Sequence, residues 1–236
     1  LNLMLLEKFQ KILKKWNLVE KLIGNKTKAN VAVFISGRGS NLKSLIKYSK
    51  SKNSLFKIKL VISNKSNAAG LKYAIKSKIK FYVIKYKNVM NLEKKILKLL
   101  KKFSIDLICL AGFMRILSKN FIKKFNKKIL NIHPSLLPKY KGLDTHNRVL
   151  NNKDKYSGST VHLVTPKLDA GKIILQKKIK VSKSDNVKTL EKKILKIEHK
   201  IYSEAIFKFL SNLWKKNLFL FLHFLYYQNH VQNFYQ

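Results

Sequence analysis

Residues 31–42 read VAVFISGRGSNL, and the order of residue types in this stretch sets the fold. VAVFIS is a short apolar run without alternation, as suits a parallel strand buried on both faces. Gly37 and Gly39 then permit a tight turn with close backbone approach. Ser40 and Asn41 open a helix that continues as LKSLIKYSK. Strand, turn and helix thus follow one another within a few residues, the opening of a βαβ series. The pattern recurs down the chain. FKIKLVIS (56–63) reads as a second strand, followed by a loop and helix, and KFYVIK (80–85) as a third. Leu92, Ile96, Leu99, Leu100 and Phe103 then mark an amphipathic helix. SIDLICLAGF (104–113) is a fourth strand, a short helix is expected around 118–125, and KKILNIH (127–133) is the fifth strand. This alternation predicts an α/β fold: a doubly wound, mostly parallel sheet with helices on both faces and right-handed crossovers.

After residue 142 the pattern changes. GSTVHLV (158–164) and KIILQKKIKV (172–181) read as two further strands joined by the turn-rich TPKLDAG, a candidate hairpin. A long helix follows, with Leu190, Ile194, Ile197, Ile201 and Ala205 on one stripe. The tail from about 213 shows no clear period. The expected organisation is a domain over 30–210, an N-terminal extension over 1–29 and a C-terminal tail over 211–236. Neither flank receives a role. The first 28 residues have helical apolar spacing, but they lack Arg, contain Glu7 and Glu20, and are not Ser-rich, so an organellar presequence is disfavoured.

A formal charge of +40 raises the question of a polyanionic partner. Of 51 basic residues only Arg38, Arg115 and Arg148 are arginine, and phosphate recognition favours the arginine fork. The lysines alternate along helices as a solvated face would, and Asn, Ile, Phe and Tyr are plentiful. Nucleotide bias is the preferred reading, and no specific nucleic-acid partner is expected. The lone Cys109 sits in an apolar run and cannot form an internal disulfide, which points to a reducing, cytoplasmic setting. No stretch approaches the roughly 20 apolar residues of a membrane span.

Three places carry chemistry. In SGRGSNL (36–42), free N–H groups and the positive end of a helix dipole suit an anion such as phosphate. An ordinary turn with a serine cap would use the same residues, and the feature alone does not choose between them. It is neither a Walker A nor a GxGxxG motif. Asn131 and His133, two apart on a strand, project to one face at its carboxyl end, where open α/β sheets bind ligands. An amide donor beside an imidazole suits acyl transfer, with the amide meeting a developing oxyanion and the imidazole moving protons; a strand-end histidine without chemistry fits the same local string. Pro134 holds His133 to extended geometry, and two of the three prolines of the chain, Pro134 and Pro138, flank this strand end. Asp169, one of five Asp, lies in the loop ended by Gly171. Beside His133 it would orient the ring and raise its pKa, although a loop Asp also forms turns. His146 and His162 are further candidates for the lining. No metal-ligand spacing occurs, so no metal is expected.

Taken together, VAVFISGRGSNL, SNKSNAAGL, DLICLAGFMRILS, LNIHPSLLPKYKG, STVHLVTPKLDAGKIILQ and EHKIY resemble, in order, the phosphoribosylglycinamide formyltransferase family, over roughly residues 30–210. The resemblance implies a Rossmann-like formyltransferase fold. It implies transfer of a formyl group from 10-formyltetrahydrofolate, the cosubstrate, to the amine of 5-phosphoribosylglycinamide in purine biosynthesis. It also implies Asn131, His133 and Asp169 as the catalytic trio, with His133 protonated against the oxyanion. Gly39, Ser40 and Asn41 would hold substrate phosphate and Glu198 its ribose. Met114, Arg115, Ile116 and Leu117, with Asn131, would contact folate. The partners implied are small molecules, and the expected state is a monomer or homodimer. Three positions depart from the family pattern: 86–95 offers only Lys where an arginine is usual, Asp144 stands for a frequent His, and Ser203 for a frequent Pro. Two related enzymes would differ in size. A methionyl-tRNA formyltransferase would carry a sizeable C-terminal domain, and a formyl-folate deformylase an N-terminal one. A basic nucleic-acid-binding module without catalysis is the reading from another class.

Overall fold

The computed structural model describes residues 28–85 and 89–231. Seven strands form one sheet in the order β3-β2-β1-β4-β5-β6-β7. They are β1 (Ala29–Ile35), β2 (Phe56–Ser63), β3 (Lys80–Val83), β4 (Leu107–Leu110), β5 (Lys128–His133), β6 (Tyr156–Leu163) and β7 (Ile173–Lys180). The first five are parallel, and β6 and β7 are antiparallel additions, β6 against β5 and β7 against β6. The helices are α1 (Ser40–Ser49), α2 (Leu71–Lys76), α3 (Val89–Lys102), α4 (Lys119–Phe125), α5 (Thr145–Asn151) and α6 (Val187–Val231). The expected α/β architecture is what the chain adopts.

The apolar run that opens the chain's first unit divides its residues between two cores. Val31, Val33 and Ile35 pack with α1, α2 and α6 on one face of the sheet. Ala32 and Phe34 pack with α3 and α4 on the other. A strand covered on both sides has no polar face to keep, which is why alternation is missing. β5 follows the same rule in part: Leu130 and Ile132 enter the first core and Ile129 the second. Asn131 and His133 share the parity of Ile129, so they continue that face past the last apolar side chain.

β4 is shorter than the run 104–113 suggests. Ser104, at φ 48, ends the helix before it, and Gly112, at φ +71, turns the chain after it. α4 begins where Ser118 accepts the Phe121 N–H at 3.0 Å, while buried Glu93 accepts both the Ser118 N–H (2.9 Å) and hydroxyl (2.5 Å). Two elements differ from expectation. α5 is a seven-residue helix over a segment given no element, entered through Asp144 at φ 56. The helix after β7 continues through the tail to Val231. In the sequence its stretch LFLFLHFLYY (218–227) shows no amphipathic period to read. Most of the 1–29 extension and the start of the 86–95 loop lie outside the described residues.

Candidate active site

The strand order reverses between β1 and β4, and a crevice for ligands opens at such a point, beyond the carboxyl ends of the strands. Here three loops are tied together. The Ser36 hydroxyl after β1 donates to Asn64 Oδ1 after β2 at 2.5 Å and accepts the Met114 N–H after β4 at 2.7 Å. Gly39 has φ +71, and a Cβ on it would lie 2.4 Å from the Cα of Gly70, so the turn requires glycine twice over.

The antiparallel register of β5 and β6 sets Asn131 opposite His162 and His133 opposite Thr160. Asn131 Nδ2 lies 3.3 Å from His162 Nε2, and His162 Nδ1 lies 2.9 Å from the Leu163 carbonyl. Asp169 reaches this pair from the β6–β7 loop at φ 45. Its Oδ2 lies 3.5 Å from His133 Nδ1 and its Oδ1 3.5 Å from His162 Nε2. The Gly142 N–H donates to Oδ2 at 2.8 Å. One carboxylate therefore spans two imidazoles, all three side chains less than a tenth exposed. Burial works against the Asp169 charge, but the His162 contact, the Gly142 amide and the neighbouring imidazoles outweigh it and hold the carboxyl below its usual range.

His133 departs from expectation. Its Nε2–H donates to the Tyr140 carbonyl at 2.8 Å, which leaves Nδ1 as the free nitrogen facing Asp169. Burial lowers its pKa and prevails over the Tyr140 carbonyl and Asp169, which pull upward, while His162 and Arg148 add to the lowering. Asp169 pulls this pKa upward, as the sequence reading expects, but desolvation is the larger effect and the net direction is downward.

The loop between β5 and α5 is braced from β6 and β7. Thr160 Oγ1 donates to the Ser135 carbonyl (2.6 Å), Gln176 Nε2 donates to Thr160 Oγ1 (2.7 Å) and to the Leu137 carbonyl (3.0 Å), and the Ser135 hydroxyl donates to the Lys139 carbonyl (2.7 Å). This bracing fixes the Tyr140 carbonyl and with it the tautomer of His133. Sequence reading missed Tyr140, Gly142, Thr160 and Gln176. Two of them act through backbone atoms, which leave no mark in side-chain identity. His162, proposed only as lining, belongs to the cluster. His146 stands apart on α5; burial lowers its pKa, and its buried Nδ1 has no hydrogen-bond partner among the described residues.

At the phosphate-loop candidate, Gly39 precedes the first turn of α1, with Ser40 and Asn41 in it. Asn41 Nδ2 donates to Glu198 Oε2 on α6 at 2.7 Å, and both residues are buried. Burial pushes the Glu198 carboxyl up to about 7, against the opposing bonds from Asn41 and Ser159. Ser159 in turn donates to the His133 carbonyl at 3.0 Å. Of the segment 114–117 expected, with Asn131, to contact folate, Met114, Arg115 and Ile116 are exposed, whereas Leu117 is buried in the core with Phe121. The Leu117 side chain is therefore withdrawn from the crevice. No group of residues suited to a metal occurs among the described residues.

A Formyl transferase family profile matches residues 29–206. The chain is 46% identical over 198 residues to the human trifunctional purine biosynthetic protein adenosine-3, covering 83% of this chain and 20% of that protein. It thus spans about a fifth of the trifunctional relatives it matches. It is 42% identical over 179 residues to the phosphoribosylglycinamide formyltransferase of Haemophilus influenzae, covering 75% of this chain and 84% of that one. Among solved structures, the phosphoribosylglycinamide formyltransferase of Brucella melitensis is similar at TM-score 0.74 and 41% identity, over 78% of this chain and 96% of that chain.

Proposed function

Because the chain belongs to the formyl transferase family, we propose that it transfers the formyl group of 10-formyltetrahydrofolate to the amine of 5-phosphoribosylglycinamide. The products are formylglycinamide ribonucleotide and tetrahydrofolate, in purine biosynthesis. The observation that carries the reading is one carboxylate, Asp169, set between His133 and His162 beside the Asn131 amide. We assign it small-molecule substrates and cytoplasmic work as a monomer or homodimer; separately, no helix among the described residues is long and apolar enough to cross a membrane. The catalytic domain is assigned to 30–210, with 1–29 and 211–236 as additions.

Formyl-folate supplies an activated carbonyl. Exposed Met114 and Ile116, at 61% and 73%, offer its ring system apolar surface beside the crevice, with Arg115 between them. Gly39, Ser40 and Asn41 hold the ribonucleotide phosphate at the start of α1, and Glu198 is the ribose contact. The substrate amine attacks the formyl carbon, and a C–N bond forms. Asn131, beside His162, turns an amide N–H to the developing oxyanion. The proton lost by the amine passes to His133 Nδ1, the nitrogen left free by the Tyr140 bond. Asp169 then faces an imidazolium, and a contact that was ion-to-neutral becomes an ion pair in a water-poor site. His133 returns the proton to the departing folate nitrogen as the original C–N bond breaks.

A spectroscopic assay of tetrahydrofolate formation with both substrates tests this reading. His133→Ala and Asp169→Asn are each expected to lower kcat by about 100-fold or more. The asparagine keeps an acceptor for the Gly142 N–H, so the fold survives while the charge is lost. Full activity in His133→Ala, or no turnover in the parent protein, overturns the mechanism.

A further inference from the structure

Two carboxylates of α6, two helical turns apart, hold the turn between β1 and α1. Glu198 takes the Asn41 amide in a buried contact, and Glu191 pairs with the Arg38 guanidinium through Oε1 and Nη2. Exposure separates them. Glu198 is 5% exposed, whereas the Arg38 and Glu191 side chains are 73% and 33% exposed. An exposed pair of long side chains is weak, because water screens it and ordering both chains costs entropy. A phosphate dianion offers arginine two oxygens at once, a stronger and better-directed contact. Arg38 stands between Gly37 and Gly39, next to the free amides of α1, in a chain with only three arginines.

We propose that Arg38 is a ligand for the substrate phosphate held in reserve by Glu191, so that Glu191 sets how strongly the site takes phosphorylated substrate. The inference rests on the turn 39–41 being the phosphate site.

Steady-state kinetics at saturating 10-formyltetrahydrofolate tests it. Arg38→Ala is expected to raise KM for 5-phosphoribosylglycinamide about tenfold. The same variant should leave kcat within about twofold and KM for folate unmoved. Glu191→Gln should lower KM for the ribonucleotide about threefold, and the double variant should match Arg38→Ala, since Glu191 acts only through Arg38. Arg38→Lys, which keeps the charge and loses the fork, should fall between. If Glu191→Gln raises KM in step with Arg38→Ala, the pair is a structural clasp and the proposal falls. It falls too if Arg38→Ala leaves KM unchanged. Calorimetric titration with ribose 5-phosphate separates the inference from its premise, since it needs no formyl transfer. No binding to the parent protein refutes the phosphate-turn assignment and the proposal with it. Equal binding to parent and Arg38→Ala refutes the role of Arg38 alone.

Discussion

The protonation of His133 distinguishes two mechanisms that share the same three side chains. With Nε2–H on the Tyr140 carbonyl and burial lowering its pKa, His133 in the proposed mechanism serves as a base at Nδ1. Activity should therefore fall as pH drops through that pKa. An imidazolium requirement would instead make activity fall as pH rises. The substrate phosphate also titrates near pH 6, so the profile alone is ambiguous, and Asp169→Asn resolves it. Removing the carboxylate takes away a charge that pulls the His133 pKa up, so the acid limb of kcat/KM should move to lower pH in the residual activity. A limb that stays in place belongs to the substrate and removes His133 as the base. Asn131 and His133 were legible in the sequence because strand parity needs only their spacing. Asp169 was a guess from spacing and came only with the family resemblance, and the burial that lowers the His133 pKa depends on what packs around the ring, which the string LNIHPS does not contain.

Among the elements, α6 joins the two halves of the site. Glu198 reaches Asn41 at the proposed phosphate turn, and through Ser159 it connects to the backbone of His133. A carboxyl raised from 4.5 to about 7 binds its proton more tightly folded than unfolded. Its contribution to stability is thus complete below about 4.5 and is lost as pH rises through about 7. Glu198→Gln removes the titration, and its amide can donate to Asn41 Oδ1, which is buried without a partner among the described residues. The stability of this variant relative to the parent should improve by on the order of 2 kcal/mol between pH 5 and pH 8, read from denaturant midpoints. A pH-independent difference would show that Glu198 is ionised in the folded state at both pH values. The long strands and the amphipathic helices were legible from periodicity. α5 was not, because seven residues give too short a window for a period, and its entry at Asp144 with φ 56 carries no cap signal.

At the scale of the whole molecule, the charge of +40 is read from the sequence as nucleotide bias; in the fold, basic residues face solvent on helices of both faces and on the edge strand β7, where Lys177, Lys178 and Lys180 blunt the sheet edge. Bias in origin does not make the field inert. Both proposed substrates are anions, one through phosphate and the other through the glutamate carboxylates of folate, and a positive molecule draws them in from beyond contact range. The field acts on encounter and is screened over about 10 Å at 0.1 M salt, whereas the chemistry proposed at His133 belongs to a buried site that added salt reaches far less. Raising ionic strength from 0.02 to 0.2 M should therefore lower kcat/KM by roughly tenfold while kcat stays within about twofold. The same salt should raise the melting temperature, since like charges crowded on one surface repel and screening relieves them. The two readouts together separate steering from damage: if kcat falls along with kcat/KM, salt acts on the site itself, and if neither moves, the lysines are spread too evenly to focus a field on the crevice.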